Sequence, residues 1–216
     1  MKNSNVYDIN FWEKVLGDLP VSYKTWFERE REYLQSNITK NARVLEVGCG
    51  EGRSLRDIIN VTENLIGIDH DPEAVKEAKR NLKNYSKVKI LESEATNLPF
   101  KDKSFDFVIC MTTFANFGNK KYNVLDEMRR VLKDQGFIII SVFSEDAFEE
   151  RMKLYKKTNF PIKEIVGTTI IYNGKWGDNT SEQFSKKELE EIFEKAKLKV
   201  VEIKKLNMAY ICKIKK

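Results

Sequence analysis

The chain has one histidine, His70, and three cysteines at positions 49, 110 and 212. A lone histidine rules out zinc sites built on histidine pairs and most schemes in which histidine activates a nucleophile. The cysteines are odd in number and far apart, so they form neither a disulfide framework nor a metal-ligand cluster. Cys110 and Cys212 lie in apolar, strand-like runs and read as buried free thiols of a reducing cytoplasm. No metal is expected. No apolar run approaches bilayer length, and the stretch Met1 to Asn10 is polar, so neither a membrane span nor a leader is expected. Repeats, low-complexity tracts and interdomain linkers are absent. The 216 residues, 41% of them hydrophobic, read as a single domain with a full core.

Charge of one sign is scarce only in the C-terminal part. Residues 151–216 hold 16 Lys and Arg against 8 Asp and Glu, within a chain of net charge +5. Such a bias could meet nucleic acid or an anionic substrate. Over Lys186 to Lys197, however, lysines alternate with glutamates, the pattern of a solvated helix face. No basic stripe interleaved with aromatics is present, and nucleic acid is the less favoured partner.

Apolar periodicity alternates between helix and strand. Residues 8–36 read as helical, with Phe11, Trp12, Trp26, Phe27 and Tyr33 at helical spacing and a break at Leu19-Pro20. Strands are expected at 43–47, 64–69, 88–92, 105–111 and 137–143, with helices at 55–60, 72–84, 121–132 and 146–157. Asp71 and Pro72 form a helix start, and Gly136 reads as a turn residue. A poorly regular stretch, 159–184, contains a strand-like run from Ile165 to Tyr172 and a turn at Asn173-Gly174. Ser185 and Glu188 form a capping box ahead of a helix over 186–196. Two strands, 199–205 and 208–215, close the chain, and the short Leu206-Asn207 link makes them antiparallel. This alternation predicts an α/β sandwich with a mainly parallel sheet.

Chemistry concentrates around Val44-Leu45-Glu46-Val47-Gly48-Cys49-Gly50-Glu51-Gly52. A buried strand runs into glycines at every second position, where the backbone must turn and let a ligand approach. A dinucleotide fingerprint would need its last glycine at position 53, which is Arg53, and no Gly-Lys-Ser/Thr ending of a phosphate loop follows. Glu46 would repel a pyrophosphate and suits a ligand carrying an amine or another cation. The second strand ends at Asp69, just over twenty residues after the loop, where a carboxylate can accept both hydrogens of a ribose diol. Asp71 serves as helix cap. His70, between them, packs near a base or is simply exposed.

The ordered set Glu46-x-Gly48-x-Gly50-x-Gly52, Asp69, Glu94-Ala95 ahead of Leu98-Pro99-Phe100, and Ser104-Phe105-Asp106 resembles the class I S-adenosylmethionine (SAM)-dependent methyltransferases. The likeness covers residues 42–143, and the terminal strands by topology. It implies a Rossmann-like, doubly wound seven-stranded sheet, mostly parallel with an antiparallel last strand. It also implies SAM as cofactor and S-adenosylhomocysteine as product. By the same resemblance Glu46 lies near the methionine amine, and Gly48, Cys49, Gly50 and Gly52 pass close to the cofactor. Glu94 accepts the adenine amino hydrogens, and the Ala95 N–H faces the ring. Met111, Thr112 and Asn116 line the cofactor and substrate cavity. Asp106 reads as structural. Phe114 and Phe117 divide evenly between core and cavity.

The implied reaction is in-line displacement of the sulfonium methyl by a nucleophilic oxygen, nitrogen or other atom of an acceptor. No residue stands out as a general base. The motif of planar-nitrogen methyltransferases, Asn/Asp-Pro-Pro-aromatic, is missing after strand four, as is the Pro-Cys of cytosine enzymes. In this family the N-terminal segment and the insertion after strand five cover the site. The expected layout is therefore a helical cap at 1–40, a SAM-binding core at 41–145, a lid at 146–185 and a closing helix with a strand pair at 186–216. Tyr7, Tyr23 and Trp176 are the lid and substrate candidates, whereas Trp12 and Phe27 are expected to anchor helices. A small-molecule acceptor is favoured. An RNA or protein methyltransferase and a non-catalytic SAM-binding module are the alternatives. Oligomeric state is not legible.

Overall fold

The computed structural model describes residues 19–173 and 180–216. Phe11, Trp12 and the first piece of the predicted N-terminal helix lie outside the described residues, as does Gly174. Pro20 stands just before α1 (Val21–Asn37), so the break expected at Leu19-Pro20 is a helix start.

The strands β1 (Val44–Val47), β2 (Leu65–Asp69), β3 (Lys89–Glu92), β4 (Phe105–Met111) and β5 (Leu132–Phe143) alternate with α2 (Arg53–Ile58), α3 (Pro72–Asn81) and α4 (Lys121–Val131). After β5 come α5 (Phe148–Lys157), the strands β6 (Ile162–Val166), β7 (Thr169–Tyr172) and β8 (Thr180–Ser181), and α6 (Lys186–Lys195). The chain closes with β9 (Lys199–Leu206) and β10 (Ala209–Lys215). The main sheet has seven strands in the order β3-β2-β1-β4-β5-β10-β9. β1 runs parallel to β2 and β4, and β10 is inserted antiparallel between β5 and β9. This is the expected Rossmann-like, mostly parallel sheet with an antiparallel last strand. Its strand order reverses between β1 and β4, and open sheets of this kind bind ligands at the carboxyl ends of the strands beside that reversal.

Local chemistry accounts for the elements. All four residues of β1 are buried, as a central parallel strand requires. The Asp71 carboxylate accepts the Glu73 N–H at 3.0 Å ahead of Pro72, starting α3. Ser185 and Glu188 cap each other's backbone at the start of α6. Leu189, Ile192 and Phe193 form the buried face of α6, and Lys186–Glu190 and Lys187–Glu191 pair at i,i+4 on its outer face. The alternating charges of this segment are thus a solvated face. Edge strand β9 also carries lysines outward, which discourages pairing with another sheet.

Two expectations fail. The run Ile165 to Tyr172 is not one strand but the hairpin β6–β7, turning at Gly167 with φ +61°. Only one residue marks that turn, and the apolar flanks hide it. Gly136 is not a turn residue either: β5 starts at Leu132, directly after α4, and contains it. A Cβ at Gly136 would sit 2.7 Å from the Asp106 carbonyl oxygen, where the β4–β5 register shifts. Glycine is there for close approach, not for a turn. We expect Gly136→Ala to cost about 1–3 kcal/mol of unfolding free energy through overpacking. A lower urea midpoint would show it, and an unchanged midpoint would refute the close-contact reading.

Candidate active site

The glycine turn after β1 is fastened on several sides. The N–H groups of Gly48 and Cys49 both donate to the Ile68 carbonyl, each at 2.9 Å. The Thr113 hydroxyl donates to the Gly48 carbonyl at 2.8 Å, and a Cβ at Gly48 would lie 2.3 Å from Thr113 Cγ2. Gly48 has φ +73° and Gly50 has φ +51°, backbone conformations that favour glycine. The Asp69 carboxylate accepts the Gly50 N–H at 2.9 Å through Oδ2 and the Asp71 N–H at 3.0 Å through Oδ1. Asp69 thus ties the end of β2 to the loop after β1, and its side chain remains 12% exposed toward the site.

Helix α1 fastens the loop from outside. Glu30, fully buried, accepts from Arg53 at 2.8 Å, and the Arg53 guanidinium lies 4.1 Å from the centre of the Phe27 ring. Trp26 Nε1 donates to the Ser141 hydroxyl at 3.0 Å, joining the same helix to β5. Glu46 stands in β1 close enough to feel the Arg53 charge. It is 2% exposed, and its Oε2 is buried with no hydrogen-bond partner. Burial pushes its carboxyl up to about 8, against the opposing pull of Arg53. Burial also pushes the Glu30 carboxyl up, again against Arg53.

A cavity of about 420 Å³ opens at the carboxyl ends of β1, β2 and β4. Its wall brings together Glu46, Gly48, Cys49 and Gly50 from the loop, Asp69 and His70 from the end of β2, and Glu94 and Ala95 after β3. Met111, Thr112 and Asn116 join them at the end of β4, and Tyr23 joins from α1. Thr112 has φ +66°, a strained conformation for a β-branched residue of the kind that gathers at functional sites. Gly52 is not on this wall. Its φ is +86°, and a Cβ there would meet Leu82 at 2.7 Å, so it serves packing against the end of α3. Tyr7 and Trp176 lie outside the described residues.

Phe114 is core and Phe117 is wall, which divides the pair left open by sequence. Phe27, expected as an anchor, lines the cavity while carrying Arg53 on its face. Phe143, Tyr155, Phe160 and Tyr172 also line it, with Tyr155 and Phe160 stacked at 4.4 Å. Asp106 is structural as expected, accepting the Arg43 N–H at 2.9 Å and the Lys133 ammonium at 2.7 Å. All three cysteines are buried and free. Sequence reading missed Glu30, Thr113 and Phe143. Glu30 had a signal, since it falls on the stripe Tyr23, Trp26, Tyr33, Leu34 where a charge needs a partner.

The fold and this site define an α/β enzyme of the nucleoside-cofactor type, with a carboxylate in place of a phosphate cradle. Residues 38–197 match the family described as a methyltransferase domain. The chain belongs to that family and is a SAM-dependent methyltransferase. It is 31% identical over 199 residues to uncharacterized protein MJ1252 of Methanocaldococcus jannaschii, covering 88% of this chain and 76% of that one. It is 28% identical to the demethylmenaquinone methyltransferase of Staphylococcus saprophyticus, covering 84% and 80%. Among solved structures, a SAM-dependent methyltransferase from Aquifex aeolicus superposes with a TM-score of 0.69 at 20% identity, covering 96% and 98% of the two chains.

Ionisation of Glu46 is disfavoured in the folded protein, so its burial costs stability once the carboxyl must lose its proton. The cost is absent below the ordinary carboxyl value of 4.5 and grows as pH rises toward 8. Without cofactor, Glu46→Gln should be more stable than wild type by about 2–4 kcal/mol at pH 8 and about equal to it at pH 4.5. Chemical denaturation at the two pH values tests this; a gap independent of pH contradicts it.

Proposed function

We propose that the enzyme methylates a small, flat, apolar-bodied acceptor, with SAM seated along the loops after β1, β2 and β3. One observation carries the cofactor seating. Glu46 Oε2 is a buried acceptor without a partner, and a ligand ammonium would complete it. At Gly50, with φ +51°, nothing stands within 4 Å of where a Cβ would be, which leaves room for close approach beside it. In this reading Asp69 holds the ribose diol and Glu94 the adenine amino group. The Ala95 N–H and His70 face the adenine, while Met111 and Asn116 flank the cofactor. Gly52 and Cys49 shape the turn.

When bound, SAM supplies an activated sulfonium methyl. The chain's own residues position the acceptor and exclude water, and approximation of this kind is worth about 7–11 kcal/mol. Tyr23 and Thr112 stand where an acceptor would enter. The aromatic wall of Phe27, Phe143, Tyr155, Phe160 and Tyr172 suits a planar ring system. A relative named demethylmenaquinone methyltransferase agrees with a small-molecule acceptor. The charged face of α6, neutralised by its own i,i+4 pairs, gives RNA little to grip. We assign 41–145 to the cofactor core, 1–40 to the cap, 146–185 to the lid and 186–216 to the closing unit. Three buried free thiols fit a reducing cytoplasm.

Isothermal titration tests the seating. S-adenosylhomocysteine should bind and NAD should not. Near pH 7 Glu46 is mostly protonated, and a ligand ammonium favours its ionised form. Binding should therefore release part of a proton, read as an enthalpy that varies with the buffer's ionisation enthalpy. Glu46→Gln should abolish that release. Asp69→Ala should weaken binding by about 1.5–3 kcal/mol. Binding of NAD alone would sink the cofactor assignment. Proton-neutral binding of S-adenosylhomocysteine would remove Glu46 from the amine, and unchanged affinity in Asp69→Ala would remove Asp69 from the ribose.

A further inference from the structure

Arg151 of α5 is fully buried, yet among the described residues no carboxylate pairs with it. Its guanidinium donates to the Gln183 side-chain oxygen at 2.9 Å, the Ser181 carbonyl at 2.7 Å and the Thr168 carbonyl at 3.3 Å. Its Nε–H has no partner. It lies 4.5 Å from the centre of the Phe143 ring and 5.9 Å from that of Tyr155. Neutral oxygens and ring faces soften the burial of a charge but do not cancel it, and an uncompensated buried ion costs several kcal/mol. A clamp between α5 and the β6–β8 sheet could be built from apolar groups at lower cost.

The position of this charge gives it a use. Phe143, Tyr155 and Ser181, all next to Arg151, form one side of the cavity wall, with Arg151 itself behind them. Tyr23 lines the same side, and its hydroxyl is buried with no partner. Burial, with Tyr155 beside it, holds that hydroxyl far above its ordinary value, so it stays protonated and donates to an anion; the Arg151 charge is felt there too, opposed in smaller measure by Glu150. The cations on the wall itself are Lys120, after β4, and Arg53, which Glu30 already pairs. The wall's carboxylates, by contrast, are Glu46, Glu51, Asp69, Asp71 and Glu94, all in or after β1, β2 and β3. The wall built by α1, β5, α5 and β7 has neither a carboxylate nor a histidine among the described residues.

We propose that the acceptor is a planar acid whose ionised oxygen, carboxylate or phenolate, is held by the Tyr23 hydroxyl at the corner of the wall that Arg151 backs with its charge. This deepens the methyltransferase reading and rests on it. The corner supplies a donor hydroxyl and an unspent positive charge, the two things an oxyanion needs in an apolar site. It also explains why no base stands on that side: an acceptor that enters deprotonated does not require one. An acid further offsets the cationic charge that SAM brings into the same cavity.

The test uses the whole protein saturated with S-adenosylhomocysteine. Binding of 2-naphthoate is compared with that of neutral 2-naphthamide, and 4-nitrophenolate with 4-nitroanisole, by calorimetry or absorbance. At least one anion should bind about tenfold or more tightly than its neutral partner, and the pair that responds distinguishes carboxylate from phenolate. Arg151→Gln should erase the preference and Arg151→Lys should restore part of it. Tyr23→Phe should cost the anion about tenfold and leave the neutral probe unchanged. If Arg151→Gln loses S-adenosylhomocysteine binding as well, Tyr23→Phe decides alone. Equal binding of anion and neutral probe, no binding of either pair, or an unchanged preference in Tyr23→Phe overturns the proposal. Binding of S-adenosylhomocysteine, measured in the same samples, shows separately whether the cofactor reading stands.

Discussion

Everything at the site depends on how the turn after β1 is held. Its amides are pinned to the Ile68 carbonyl, its Gly48 carbonyl to Thr113 and its Gly50 amide to Asp69. Those anchors come from the ends of β2 and β4, the strands that flank β1. The parallel register of the sheet therefore sets the geometry of the loop, and the loop sets the mouth of the cavity. A glycine at position 48 is required twice, by its positive φ and by the threonine packed against it. Rigidity of this kind suits a reaction in which the protein mainly aligns two bound molecules.

The same turn explains the buried charges. Arg53 follows the third glycine and must go somewhere. It is drawn against Glu30 on α1 and over Phe27, with Glu46 close enough to feel its charge. Two buried carboxylates thus share one cation. Glu30 has the direct contact, and Glu46, on the cavity wall, is left with a buried, unpartnered oxygen. The imbalance costs the folded protein stability, and under the proposed seating a ligand ammonium would relieve it. Helix α1 is accordingly part of the site, although it lies outside the core that carries the motifs.

Much of this was legible because it rests on short-range rules. The mainly parallel α/β architecture followed from alternating elements, the seven strands with an antiparallel last one from the family likeness, and the capping box and Asp71 start from local hydrogen bonding. The cavity gathers the glycine loop, Asp69, Glu94, Met111 and Asn116, which are strand-end residues whose place is set by topology. What escaped was set by tertiary contact. Gly136 reads as a turn in sequence, because nothing local reveals the Asp106 carbonyl beside it. Gly52 shares the spacing of Gly48 and Gly50 yet turns toward Leu82, since alternate positions in a loop need not face one side. Phe27 looked like an anchor because helical spacing gives a face, not what lies opposite it.

The carboxylates of the cavity wall and the buried Arg151 behind its aromatic part come from different elements, and under the proposed acceptor reading that difference bears on specificity. Carboxylates cluster around the loops after β1 to β3, where a cofactor with an ammonium and a sulfonium would lie. Arg151 lies behind Phe143 and Tyr155, and Lys120 is on the wall after β4. A cavity polarised in this way orients a dipolar pair of reactants before any close contact is made. It also discriminates by what it leaves unsatisfied: a neutral acceptor would leave Arg151 without a counter-ion, and the buried site would bear that cost. If the acceptor is an acid as proposed, selectivity comes less from the shape of the aromatic wall than from a charge the fold has not spent.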